Sequence, residues 1–310
     1  MTYQADARAG GHDGAELVSA YWGDERKDHR KHNWLEHPVT RGIINLRISG
    51  DSATGTRQYW RRNFLQEAAA NALSLGCGFG NFERDAINAD LVGRIDAFDV
   101  SASAIEQARA YAADAGLQDR IAYSVADVNS LDLPPEHYDA VFGISSVHHV
   151  FELESVFRNC RKALRPGGLL FLDEYVGPSR FQLPSENVGL INRLLAALPE
   201  RYRRNVFTNG GITNTYENSP IEWFEKNDPS EAVRSAEIIS TLQQYFDIID
   251  YRPYGGAILH MLLSGMAGNY EPDSDADVAL LRSFAILEES LEHAAVLSSH
   301  FAAFVARPKR

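Results

Sequence analysis

The chain is 310 residues long, with 45% apolar and 23% charged residues and a formal net charge of −12. That length suits one large domain or one domain with a substantial insertion, and the apolar fraction excludes a mainly disordered chain. An acidic surface disfavours general affinity for nucleic acid or anionic membrane, which both need positive charge.

The N-terminus from Met1 to Gly11 has neither a basic start nor an apolar core, so no signal peptide is expected. No apolar run reaches bilayer-spanning length; Ala257–Met266 is too short and contains Gly265. The two cysteines, Cys77 and Cys160, make no disulfide framework, and the expected location is the cytoplasm. The one basic stretch, Arg26-Lys27-Asp28-His29-Arg30-Lys31-His32, reads as a solvated face or helix end, with an anionic-substrate site as the second reading.

Between Asn71 and Asp173, short apolar runs alternate with amphipathic stretches, the pattern of βαβ units on a parallel sheet. Strands are predicted at Ala72–Leu75, Arg94–Asp99, Ile121–Val125, Tyr138–Ile144 and Leu169–Glu174. Helices are predicted at Ser101–Ala115, with Ser101 and Ser103 as N-cap choices, and at Glu152–Leu164, stopped by Pro166-Gly167-Gly168. Beyond Glu174 the rhythm breaks over residues 177–230, where Val188–Leu198 is the clear helix. It resumes with a helix at Glu231–Tyr245, a strand at Phe246–Tyr251, helical stretches near 257–267 and 276–295, and a last strand at His300–Ala306. The expected organisation is an N-terminal cap (1–60), a Rossmann-like domain (61–176 and 231–310) and an inserted cap or lid (177–230).

The strongest motif is Ala72-Leu73-Ser74-Leu75-Gly76-Cys77-Gly78-Phe79-Gly80, a strand entering a glycine-rich turn. Glycines there let the backbone turn sharply and let a ligand lie against it. The spacing is Gly-x-Gly-x-Gly, distinct from the Gly-x-Gly-x-x-Gly that grips a pyrophosphate. Asp99 ends the second strand, about 20 residues on, where a carboxylate accepts ribose hydroxyls. Asp127 follows the third strand; it suits either an adenine amino group or an Asx-turn.

With the fourth-strand segment Tyr138–His149 and the Leu164-Arg165-Pro166-Gly167-Gly168 turn, this ordered set resembles the class I S-adenosylmethionine-dependent methyltransferase family. The resemblance implies a Rossmann-like seven-stranded, mostly parallel α/β sheet with helices on both faces, its last strand antiparallel between strands five and six. It implies S-adenosyl-L-methionine as cofactor and S-adenosyl-L-homocysteine as product. Cofactor contacts fall on Gly76, Cys77 (as a small filler), Gly78, Asp99, Val100, Asp127, Val128 and Ile144. A donor already activated as a sulfonium needs alignment, exclusion of water and, for a weakly acidic acceptor, a base. His149, then His148 and Glu174, are the catalytic candidates, because strands four and five end beside the methyl group. Trp22, His32, Trp34, Tyr175 and His260 are the acceptor-binding candidates. A metal held by His148, His149, Asp173 and Glu174 is the minority reading, and none is expected, since adjacent histidines point apart and Mg2+ prefers oxygen ligands.

The expected activity is methyl transfer to oxygen or nitrogen of a small molecule such as a sugar, glycan precursor or secondary metabolite. A homodimer is possible; nucleic acid and membrane are not expected partners. Two alternatives stand beside it: a cyclisation or rearrangement on the same cofactor fold, and a non-catalytic partner subunit. Strand four ends in Ile144-Ser145-Ser146-Val147 and lacks the Asn/Asp-Pro-Pro-Tyr type motif of nucleic-acid methyltransferases.

Overall fold

The computed structural model describes residues 33–310; Trp22, His32 and the basic stretch before it lie outside the described residues. In chain order the strands are β1 (Ala69–Leu75), β2 (Val92–Asp99), β3 (Ile121–Val125), β4 (Tyr138–Ile144), β5 (Leu164–Tyr175), β6 (Arg204–Asn205), β7 (Gly211–Ile212), β8 (Phe246–Gly255) and β9 (Phe301–Pro308). Seven of them form one sheet in the order β3-β2-β1-β4-β5-β9-β8, and β6 pairs with β7 alone. The first five run parallel, while β9 is antiparallel to both β5 and β8. This is the topology the family resemblance implied. Strand order reverses between β1 and β4, which puts the ligand crevice over their carboxyl ends.

Period-two alternation sends neighbouring side chains to opposite faces. On one face Phe142 and Phe171 join Trp34, Trp60 and Ile105; on the other Val141, Leu170 and Leu172 join Phe157 and Leu242. β9 is apolar along both faces and wholly buried from Phe301 to Ala306, as a central strand must be.

The helices are α1 (Pro38–Ser49), α2 (Thr56–Asn63), α3 (Asn81–Asn88), α4 (Ala102–Asp114), α5 (Leu153–Ala163), α6 (Ser185–Ala197), α7 (Ile221–Asn227), α8 (Ile238–Tyr245), α9 (Leu259–Leu262) and α10 (Asp275–His293). Ser101 caps α4 by accepting from the Ala104 amide, whereas the Ser103 hydroxyl pairs with that of Ser101 and caps nothing. α1 and α2 pack onto the sheet. Trp60 meets Phe171 at 5.2 Å between ring centroids, and Arg47 donates to the carbonyls of Tyr254 and Ala285.

Several boundaries differ from the sequence reading, three of them by five residues or more. The helix predicted over Glu231–Tyr245 begins only at Ile238. The Arg180 guanidinium takes the carbonyls of Asp228, Pro229 and Glu231 as acceptors, and Ala232 adopts a φ of 47°, so residues 228–234 form a turn. The helix near 257–267 shrinks to Leu259–Leu262, because Gly265 is left-handed. β5 starts five residues early, at Leu164, and the Pro-Gly-Gly run sits inside it beside a break in the β4 register. Among the described residues no helix is long and apolar enough to cross a membrane.

Candidate active site

The turn after β1 is built around close approaches. Gly76, Gly78 and Gly80 all have positive φ. A Cβ on Gly76 would stand 2.7 Å from that of Ser146, and one on Gly80 would collide with the Tyr123 hydroxyl. A Cβ on Gly78 would meet nothing within 4 Å. The first and third glycines therefore let protein pack on the loop, and the second leaves an open cradle for a ligand.

Asp99 closes this cradle. Its Oδ2 accepts from the Gly78 amide at 2.7 Å and its Oδ1 from the Ser101 amide at 2.8 Å. Each oxygen keeps a further lone pair, which fits a pair of ribose hydroxyls. Asp127 caps the short turn Val128–Ser130: its Oδ1 accepts from the Asn129 amide and side chain at 2.9 and 2.8 Å. The Asx-turn is real, and it does not engage Oδ2. Ile144 ends β4 in register with Asp173, and Ser145 follows with a φ of 50°, a strained conformation that turns the chain over the glycine loop. The Ser146 hydroxyl there is buried without a partner among the described residues. Open cradle, ribose acceptor and orphaned hydroxyl together fit the expected cofactor. Burial pushes the Cys77 thiol far up, so it is a filler and no nucleophile.

Two groups beside the loop carried no sequence signal. Arg57 lies over the Phe82 ring at 5.5 Å, pairs with Asp85 at 3.5 Å, and keeps a buried Nε without a partner among the described residues. Glu83, on α3, is fully buried; it accepts from the Ser74 hydroxyl at 2.5 Å, and burial pushes its carboxyl up to about 7. A carboxyl raised in the native state costs stability once pH climbs from its unfolded value toward 7. Glu83→Gln keeps the acceptor for Ser74 and removes that cost. We expect the variant to gain about 1–3 kcal/mol over the parent at pH 8 and visibly less at pH 5.5, read by thermal denaturation at both values.

At the ends of β4 and β5 the catalytic candidates come together. Glu174 is wholly buried. Its Oε1 accepts from the amides of Ser146 and Val147, both at 2.7 Å, and its Oε2 lies 2.7 Å from His148 Nδ1. It holds the 145–149 turn and the His148 ring and is not itself offered to an acceptor. His149 stacks close by, with ring centroids 4.3 Å apart, and its Nδ1 lies 3.0 Å from the Ser230 hydroxyl, which donates to Asp228 at 2.9 Å. Glu231 faces His148 Nε2 at 3.6 Å. Burial pulls hardest on His148, but the carboxylates of Glu174, Glu231 and Asp228 together hold the imidazole above its ordinary value. Burial and the neighbouring His148 push His149 well below its ordinary value, and burial lifts Glu231 to about 7. The sequence reading missed Asp228, Ser230 and Glu231.

The acceptor candidates within the described residues form one aromatic wall at the same edge. Tyr175, Trp34 and His260 surround Phe301, and His260 sits 5.9 Å from Tyr175 and 6.4 Å from Trp34 by ring centroids. Phe181, from the inserted segment, closes on His260 at 5.4 Å. His260 Nδ1 and Trp34 Nε1 are buried without partners among the described residues. Burial drops His260 to about 3, so it is a neutral ring. Tyr254, at the rim, donates to Asp173 at 2.6 Å.

A family model described as a methyltransferase domain matches residues 72–168. The chain is 28% identical over 190 residues to 27-O-demethylrifamycin SV methyltransferase of Amycolatopsis mediterranei, covering 60% of this chain and 61% of that protein. It is 31% identical over 143 residues to a ubiquinone biosynthesis O-methyltransferase of Xanthomonas axonopodis pv. citri, covering 45% and 57%. The chain thus spans less than two thirds of the length of these relatives. Geranyl diphosphate C-methyltransferase from Streptomyces coelicolor A3(2), solved with Mg2+, geranyl diphosphate and S-adenosyl-L-homocysteine, shares the fold at a TM-score of 0.55 and 14% identity, covering 96% of this chain and 99% of that one.

Proposed function

Because this chain belongs to the class I S-adenosylmethionine-dependent methyltransferase family, whose cofactor is S-adenosylmethionine, we propose that it methylates an oxygen or nitrogen of a small molecule. The observation that carries this reading is the histidine pair, anchored by Glu174 and Ser230, at the edge of the sheet beside the glycine loop.

When bound, the cofactor would supply a sulfonium as methyl donor. Asp99 and the Gly78 cradle would hold its ribose side, Asp127, Val128 and Ile144 its adenine side, and Arg57 its carboxylate. The wall of Trp34, Tyr175 and His260, with Phe181 from segment 177–230, orients the acceptor and excludes water. His148, His149 and Glu231 receive the acceptor's polar group and deal with its proton. The sequence put His149 first among these. His148 now has the stronger claim, since Glu174 fixes its ring and leaves Nε2 facing outward to Glu231. Both cysteines are free, which agrees with a cytoplasmic enzyme.

A screen of hydroxyl and amine acceptors should release S-adenosylhomocysteine with some of them. Acceptor consumption without any S-adenosylhomocysteine would replace this reading by a cyclisation or rearrangement.

A further inference from the structure

Hydrogen-bond accounting at the histidine pair fixes both tautomers. Glu174 already accepts two backbone amides and so acts as an acceptor toward His148, whose Nδ1 must carry the hydrogen. Ser230 has one hydroxyl hydrogen, and Asp228, which has only acceptors to offer as a carboxylate, takes it. Ser230 therefore accepts from His149 Nδ1, which carries a hydrogen as well. Two consecutive imidazoles are thus each tied through Nδ1 to a buried carboxylate, one directly and one through a hydroxyl. That support is the arrangement that orients metal-binding histidines and raises their basicity.

The outward side is unbalanced when His148 is neutral, the state in which an imidazole binds a metal: its Nε2 and Glu231 Oε1 are then both acceptors and face each other at 3.6 Å. One ligand atom from each of His148, His149 and Glu231 fits within a span of 4.8 Å. Asp228 is wholly buried, and its Oδ2 has no partner among the described residues. Three carboxylates of Glu174, Asp228 and Glu231 gather about two imidazoles, while Arg180 spends its hydrogens on backbone carbonyls. A positive charge belongs between Nε2 and Oε1.

We propose that His148, His149 and Glu231 bind a divalent first-row transition metal of the zinc type. Two imidazole nitrogens and one carboxylate oxygen suit such an ion better than Mg2+ or Ca2+, which prefer all-oxygen shells. Slight closure of the three donors gives the roughly 2.0–2.2 Å bonds such an ion makes and leaves a coordination position open. The two adjacent histidines, expected from the sequence to point apart, converge, because the 3-10 turn at Val147–His149 lays the rings side by side with planes 39° apart. On the methyl-transfer reading, an acceptor hydroxyl takes the open position and loses its proton to water. Its oxygen then bonds the methyl carbon as the carbon–sulfur bond breaks and its electron pair stays on sulfur.

The test is calorimetric titration of the chelator-treated full chain with ZnCl2. One equivalent should bind, and Glu231→Gln and His149→Gln should each weaken it by about tenfold or more, with melting temperature and S-adenosylhomocysteine affinity unchanged. Should either variant fail to fold, Ser230→Ala, which removes the hydroxyl linking His149 to Asp228, should still weaken zinc. Absence of a stoichiometric site, affinity equal in parent and variants, or displacement of zinc by excess Mg2+ overturns the proposal. Failure of the parent to bind S-adenosylhomocysteine sinks the methyltransferase reading instead and leaves the zinc result standing.

Discussion

Replacing His148 by Gln is expected to cut turnover by roughly 10²–10⁴-fold while S-adenosylhomocysteine affinity stays near that of the parent. Glutamine is close in reach and keeps a donor for Glu174, so the buried carboxylate is not left unpaired. What it cannot do is take a proton or a metal at the position of Nε2. The same loss is expected of Glu174→Gln through a different route. Glu174 holds the His148 ring and two amides of the 145–149 turn, so it is a positioning residue, and its loss should also lower the melting temperature. His149→Gln should fall between the parent and His148→Gln. Near-native turnover in both histidine variants, with methyl transfer shown to be rate-limiting, would move the chemistry elsewhere, with His260 and Asp173 next to be examined.

Asp99→Ala is expected to weaken S-adenosylhomocysteine binding by roughly 30- to 150-fold, or about 2–3 kcal/mol, measured by calorimetry. The loss has two sources: the ribose hydroxyls forfeit their acceptor, and the Gly78 amide loses the bond that shapes the cradle. Asp99→Asn separates them. It keeps an acceptor for Gly78 but brings an amide donor toward hydroxyls that already donate, so it should recover only part of the affinity. Unchanged affinity in Asp99→Ala, with the fold intact, would remove Asp99 from the cofactor site.

The sheet was legible because its signals are local. Tyr138–Ile144 and Ile121–Val125 are the predicted strands residue for residue. Alternating or continuous apolar runs bounded by Asp and Gly leave little room for another assignment. The glycine loop and Asp99 were legible for the same reason, since a positive-φ turn and a strand-end carboxylate each leave a mark within a few residues. Asp228, Ser230 and Glu231 left none. They lie some 80 residues from His149 in the chain, and Asp-Pro-Ser-Glu reads locally as a helix start. The Arg180 guanidinium binds the carbonyls of that turn and Ala232 takes a positive φ, so the helix does not begin there. Glu174 was legible as a strand-end acid facing the crevice, but its role was not. A carboxylate that accepts from two amides and an imidazole is a product of tertiary packing.

The most direct test is to give the purified chain S-adenosylmethionine whose methyl carries deuterium, together with the best acceptor from the screen, and to weigh the products. Methyl transfer predicts an acceptor heavier by one labelled methyl in place of hydrogen, formed mole for mole with S-adenosylhomocysteine and lost in His148→Gln. A converted acceptor with no label, or label that never leaves the cofactor although it binds at Asp99, would contradict it.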